Sequence, residues 1–273
     1  MNTLRVRMQL QRVRPTVWRR IEVPGSITLD RLHTVVHVAM GWSGVDGYEF
    51  SVGRSSRDPW RKLFVSAAVA EQLTIRESTM RGAPESPAAW EVRLDVIEQP
   101  CVETEVRLDT VLSAPGDVLL YRYGLAWEHR LRLEKILPGT ARPQCVTGRR
   151  AVPANYLLNG WNYSALVSTA RALAEGAEDD DAAGWLAGHF PGLSPAEVME
   201  TLEAFDVEQA DGILEALDRA ARCSPHSHHR DQQGSSGRHA LTRERISSGI
   251  QRASSTPRSS WMYSQSSAHW QPG

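Results

Sequence analysis

"LRVRMQLQRVRPTVWRRIEV", residues 4–23, decides the fold. Leu4, Val6, Met8 and Leu10 fall on one side of an extended chain and Arg5, Arg7 and Gln9 on the other, which is the two-residue period of a half-buried strand. After a turn around Pro15 a second alternation sets Val17, Arg19, Ile21 and Val23 against Trp18, Arg20 and Glu22. Two such segments joined by a short turn predict an antiparallel hairpin. Directly after it, Thr28 is placed to cap a helix carrying Leu29, Leu32, Val36 and Met40 at helical spacing, and Gly41 stops that helix.

Further along, "GYEFSVG" (47–53) and "WEVRLDVI" (90–97) alternate like strands. "DVLLYRYG" (117–124) and "WEHRLRLEKI" (127–136) predict a second hairpin across a turn containing Gly124. Residues 54–104 give no firm order. Beyond Pro143 the pattern turns helical, over 163–175, 179–188 and 195–221, with Ser194 as cap and Pro195 at the first helical position. The expected fold class is α+β: an antiparallel sheet with a packed helix, followed by a helical carboxy-terminal section. One domain is expected over 1–222, strand-rich to 140 and helical after it. Residues 223–273 are rich in Ser, Arg and His without an apolar period, so that tail is expected to be disordered.

With 273 residues, 41% of them hydrophobic, the chain has the composition of a globular protein. Its amino terminus has no apolar run, and no segment reaches the length that spans a bilayer, so a cytoplasmic protein without membrane contact is expected. Cys101, Cys145 and Cys223 are far apart, which argues against a disulfide framework or a cysteine zinc site. The net charge is −1. The tail carries six arginines against Asp231 and Glu244, which leaves the remainder at −5 for a tail of +4. No field of the whole chain steers it to nucleic acid; only local patches could.

Five motifs, in order, carry a resemblance: "RPTVWRRIEVPGSITLDRLHTVVHVAMGW" (14–42), "YEF" (48–50), "YRY", "WEH" and "LEKI" within 121–136, the Cys145–Gly148–Arg150–Pro153 pattern, and "FDVEQADGIL" (205–214). Over residues 3–216 the chain resembles the plasmid pRiA4b ORF-3-like family. The resemblance implies an α+β fold and carriage by plasmids and insertion elements, one passenger of which bears a resolvase label. It supplies no mechanism. Family members read Tyr-x-Tyr-Asp-Phe-Gly-Asp-x-Trp-Glu-His where this chain has "YRYGLAWEH", two residues shorter and without either aspartate. Asp46 and Gly47 stand where the family has His-Leu, and "PANYLLN" (153–159) where it tends to Pro-Pro-Glu-Asp-Cys-Gly-Gly. If those groups made a metal or acid/base site elsewhere, this chain is a decayed copy of such an enzyme.

The adjacent Glu128 and His129 point to opposite sides of a strand and cannot share a proton. The plain expectation is a core histidine beside a solvated glutamate. A working partner for His129 would have to come from another strand, for example Glu49 or Arg19, and the family motifs thus define a candidate pocket of Arg19, His33, Glu49, Trp127 and His129. Arg19 shares a face with Val17 and Ile21, so it needs a carboxylate or carbonyl partner. His33 and His37 stand four apart, a spacing that can serve a metal, but no Glu follows His33 and a core-edge histidine is the expectation. The His129-x-x-Arg132 spacing found in tyrosine recombinases places its two residues on opposite faces, and the first serine, Ser26, is too late for a serine recombinase. No catalytic residue, metal or cofactor is assigned. The positive feature is residues 1–21, which hold Arg5, Arg7, Arg12, Arg14, Arg19 and Arg20 with Trp18 and no acid. Arg5, Arg7, Arg12, Arg14 and Arg20 could meet phosphates with Trp18 available for stacking, which makes nucleic acid the expected partner of a non-enzymatic accessory protein.

Overall fold

The computed structural model describes residues 1–42, 46–53, 55, 58, 61–81, 100–124, 127–152 and 160–223. Its strands are β1 (Asn2–Leu10), β2 (Trp18–Pro24), β3 (Tyr48–Val52), β4 (Lys62–Val65), β5 (Cys101–Val102), β6 (Val118–Tyr123), β7 (Trp127–Pro138) and β8 (Gln144–Arg149). Its helices are α1 (Leu29–Met40), α2 (Ala67–Arg81), α3 (Leu108–Val111), α4 (Gly160–Ala174), α5 (Asp180–His189), α6 (Pro195–Glu203) and α7 (Val207–Cys223). Among the described residues the strands form one sheet in the order β5-β4-β3-β6-β7-β1-β2-β8, and the fold is α+β. Both expected hairpins form, and β1 also pairs with β7, so the two hairpins share the middle of the sheet. The pairing is antiparallel except at one edge, where the two-residue β5 runs parallel to β4. The sheet is therefore mixed rather than wholly antiparallel.

Alternation then decides what each face holds. Leu4, Val6, Met8 and Leu10 of β1 and Leu131 and Leu133 of β7 are buried on the inner face, where Leu29, Leu32, Val36 and Met40 of α1 cover them. Each such side chain contributes about 1.5–3 kcal/mol on leaving water. Tyr163 and Leu166 of α4, Val198 and Leu202 of α6, and Leu214 of α7 join this core. Helix α1 begins at Thr28, whose side chain makes no cap bond; the Leu29 amide donates instead to Val106 O at 3.1 Å. Gly41, at φ 78°, ends α1 in the left-handed conformation that favours glycine. Ser194 and Glu197 form a reciprocal capping box ahead of Pro195.

Residues 62–81, left open by the sequence, form β4 and α2, which build a second small core from Leu63, Val65 and Ala70 with Leu73 and Val102. At the other edge α7 borders β8: the Cys145 amide donates to Asp211 Oδ1 at 3.0 Å, and Arg142 holds that carboxylate with bonds of 3.1 and 2.7 Å. The expected strand over 90–97, the shortened turn at 125–126, the segment 153–159 and the tail from residue 224 lie outside the described residues.

Candidate functional site

His129 lies at the centre of the inner face and is 0% exposed. Trp42 Nε1 donates to its Nε2 at 3.2 Å, so the ring proton resides on Nδ1, which reaches the Tyr121 carbonyl at 3.3 Å. Both ring nitrogens are thus occupied. Burial holds the imidazole neutral and lowers its pKa to about 3. Trp127, 4% exposed, packs on Trp42 with ring centroids 5.4 Å apart. On α1, His33 Nδ1 lies 2.9 Å from the Tyr121 hydroxyl and its ring stacks on Tyr48 at 3.5 Å, while His37 Nε2 lies 3.3 Å from the Tyr123 hydroxyl. Burial, with the neighbouring His37, lowers His33 to about 4. No group of three or more His, Cys, Asp or Glu suited to a metal occurs among the described residues.

The candidate pocket drawn from the motifs divides between two faces. His33 and His129 both meet Tyr121, and Trp127 joins them through Trp42, which packs on both Trp127 and His129. Glu49 does not join them: it pairs with Arg122 at 2.8 Å on the opposite side of the sheet, because β3 turns Tyr48 and Phe50 inward. Arg19 is inside but serves another purpose. Its guanidinium, 1% exposed, donates to the carbonyls of Ala39, Trp18, Arg149 and Arg150 at 2.8–3.0 Å and lies 3.5 Å from the Phe205 ring centroid. Burial lowers its pKa to about 10, so it remains a cation at neutral pH. Glu128 departs from expectation as well: its side chain is only 16% exposed and pairs with Arg12 at 3.6 Å, since the hairpin loop folds back over it.

The outer face has a different chemistry. Arg7 stands directly opposite Arg20 of β2 on one side and Arg132 of β7 on the other, which sets three arginines in a row across three strands. Arg5 binds Glu22 at 2.6 Å, and Arg20 binds Glu134 at 2.6 and 3.0 Å. Arg7 lies 4.4 Å from the Trp18 ring centroid and Arg20 lies 5.6 Å from it. Arg5, Arg7, Arg20, Arg130, Arg132 and Lys135 line an open depression of ≈ 1050 Å³, with Trp18 outside its lining. Arg12 and Arg14 sit apart in the hairpin loop, outside the depression, where the Arg14 amide donates to Ser164 Oγ at 2.9 Å. Arg130, Arg132 and Lys135 were missed in the sequence. The outward alternation of Arg130 and Arg132 was legible; that the pairing of β7 with β1 shifts register at Glu134, past which Lys135 joins the same depression, was not.

These features define an α+β protein built, among the described residues, on one mixed sheet, with one face sealed by helices and aromatic rings and part of the other open and basic. Residues 2–198 match the plasmid pRiA4b ORF-3-like protein family, and the chain belongs to that family. It is 26% identical over 168 residues to the uncharacterised protein y4hQ of Sinorhizobium fredii, a match covering 59% of this chain and 70% of that protein. Its structure is similar to the crystal structure of the protein of unknown function MM3350 from Methanosarcina mazei Go1, with a TM-score of 0.49 and 21% identity, over 76% of this chain and 96% of the other. No described helix is long and apolar enough to cross a membrane.

Proposed function

We propose that this plasmid-family protein is a non-enzymatic accessory factor of a mobile element that binds nucleic acid through the outer face of its sheet. The observation that carries the reading is the row Arg20–Arg7–Arg132. Like charges directly opposite one another on paired strands are destabilising by up to about 1 kcal/mol. Glu134 neutralises Arg20, but neither Arg7 nor Arg132 has an ion pair among the described residues. A phosphate chain laid across the row would relieve that repulsion and release its counterions. Trp18 adds to the design: a guanidinium stacked on its ring keeps N–H donors at its edge for phosphate oxygens. The inner face supports the non-enzymatic half of the reading, since His129 has no free ring nitrogen to offer a substrate.

The test is anisotropy titration of labelled single- and double-stranded DNA at several salt concentrations. Replacing Arg7 and Arg132 by Ala should weaken binding to any sequence and flatten the slope of log K against log salt by roughly 1.4 to 1.8, at about 0.7 to 0.9 per lost phosphate contact. No binding by the intact protein at low salt, or an unchanged slope in the variant, rejects the proposal.

A further inference from the structure

Two arginines of the outer face are held by acids, and the two pairs differ. Arg5 binds Glu22 through Nε at 2.7 Å and through a terminal nitrogen at 2.6 Å. Glu22 is anchored away from the depression: it is buried, its second oxygen accepts from Gln144 Nε2 at 2.6 Å, and it does not line the hollow. Glu134 does line it. Both of its oxygens lie on the planar fork of Arg20, at 2.6 and 3.0 Å, which is the two-bond geometry that a phosphate takes on an arginine. The hydrogen bonds from Arg20, reinforced by the charges of Arg20, Arg7 and Arg5, hold the Glu134 carboxyl below its ordinary range, so it is an anion at neutral pH.

The Arg20 and Glu134 side chains are 29% and 23% exposed, so water and salt reach the pair and it can exchange partners at little cost. We infer that Glu134 is a built-in competitor for phosphate, through which the depression takes a chain of phosphates in preference to a single one; this rests on the nucleic-acid reading of the same face. A lone phosphate arriving at Arg20 must drive out a carboxylate held in the same geometry, and replacing one anion by another gains little. A chain reaches Arg7, Arg130 and Arg132 at the same time, and each of those contacts releases counterions. Whether a bound chain avoids Arg20 or displaces Glu134, it neutralises one net positive charge fewer than the basic residues alone would offer. Glu134 thus sets both the affinity of the face and the smallest ligand that it holds.

Anisotropy of a labelled DNA duplex titrated with the full chain, at several salt concentrations, reads the competition. Glu134→Gln should bind about eightfold more tightly at about 0.1 M salt, and its slope of log K against log salt should steepen by about 0.9, the share of one further phosphate contact. Adding Arg20→Ala to Glu134→Gln should remove the gain, because the gain is made on Arg20. Glu215→Gln deletes the same charge from α7, where Glu215 pairs with Arg219 at 2.7 Å outside the depression, and should leave the slope unchanged. The inhibition constant of inorganic phosphate, measured at fixed ionic strength, should fall in Glu134→Gln. Unchanged affinity and slope in Glu134→Gln, an equal gain in Glu215→Gln, or the same phosphate inhibition constant in variant and wild type overturns the inference, while duplex binding by wild type leaves the reading of the face standing. If neither wild type nor Glu134→Gln binds DNA at low salt, that reading fails and the inference falls with it.

Discussion

Residues 127–129 and 130–132 are consecutive on β7, yet alternation divides their side chains between two chemistries. Trp127, His129 and Leu131 enter the sealed face, where every nitrogen of the imidazole is matched and its charge suppressed. Arg130 and Arg132 enter the open face, where positive charge is concentrated beside Arg7. Burial on one side removes ionisation; exposure on the other permits more charge than the local acids neutralise. The motif that catches the eye, Trp-Glu-His, is thus taken up by packing and pairing, and the arginines that follow it form the open surface on which the proposed binding rests.

The contrast can be broken first on the inner side. Trp127→Ala should destabilise by about 3–5 kcal/mol in urea melts, because it empties a packed aromatic site; a loss below about 1 kcal/mol would place Trp127 outside the core. Arg19→Lys comes next: an ammonium has three donors and no planar fork for four carbonyls, so a loss of at least about 1 kcal/mol is expected at roughly 1 kcal/mol per lost bond. Acid sharpens the comparison further. An unfolded histidine takes up a proton near its ordinary value of about 6.5, whereas folded His129 waits until about 3. Stability should then fall as pH drops from about 6.5 toward 3, with His129 contributing up to about 1.4 kcal/mol per pH unit and the more accessible His33 a smaller, screened share. Urea midpoints of His129→Gln should show a shallower acid slope than wild type. On the outer side the expected effects are smallest: Arg130→Ala and Glu128→Gln should each change the melt by about half a kcal/mol or less, since exposed or loosely paired charges contribute little. A large loss from either would mean that the open face is part of the core.

How much of this was legible in the sequence follows the same division. Period-two alternation in residues 4–10 and 127–133 exposed both hairpins and the inward placement of His129, because a one-residue slip would turn the whole apolar set to water. Residues 62–81 stayed opaque: "LFV" is short enough for a buried strand or a helix, and the α2 sequence has no pronounced apolar stripe. Glu103 was invisible for another reason. "CVETEVRLD" has the composition of a polar loop, and only the tertiary fold, which brings the Tyr48 hydroxyl onto Glu103, buries the acid. The row Arg20–Arg7–Arg132 required knowing that β1 lies between β2 and β7, a choice made by the tertiary fold and absent from any local pattern.

The contact between Asp211 and the Cys145 amide has a consequence for association. A terminal strand presents free N–H and C=O groups that invite another chain to extend the sheet. Here a carboxylate carried by a helix, itself clamped by Arg142, occupies one of those amides on β8, while the opposite border of the sheet is a strand only two residues long. Among the described residues one border is thus short and the other has an amide already taken. Backbone pairing is thus curtailed where the described sheet ends, and the binding proposed for the basic face would act by charge rather than by strand pairing.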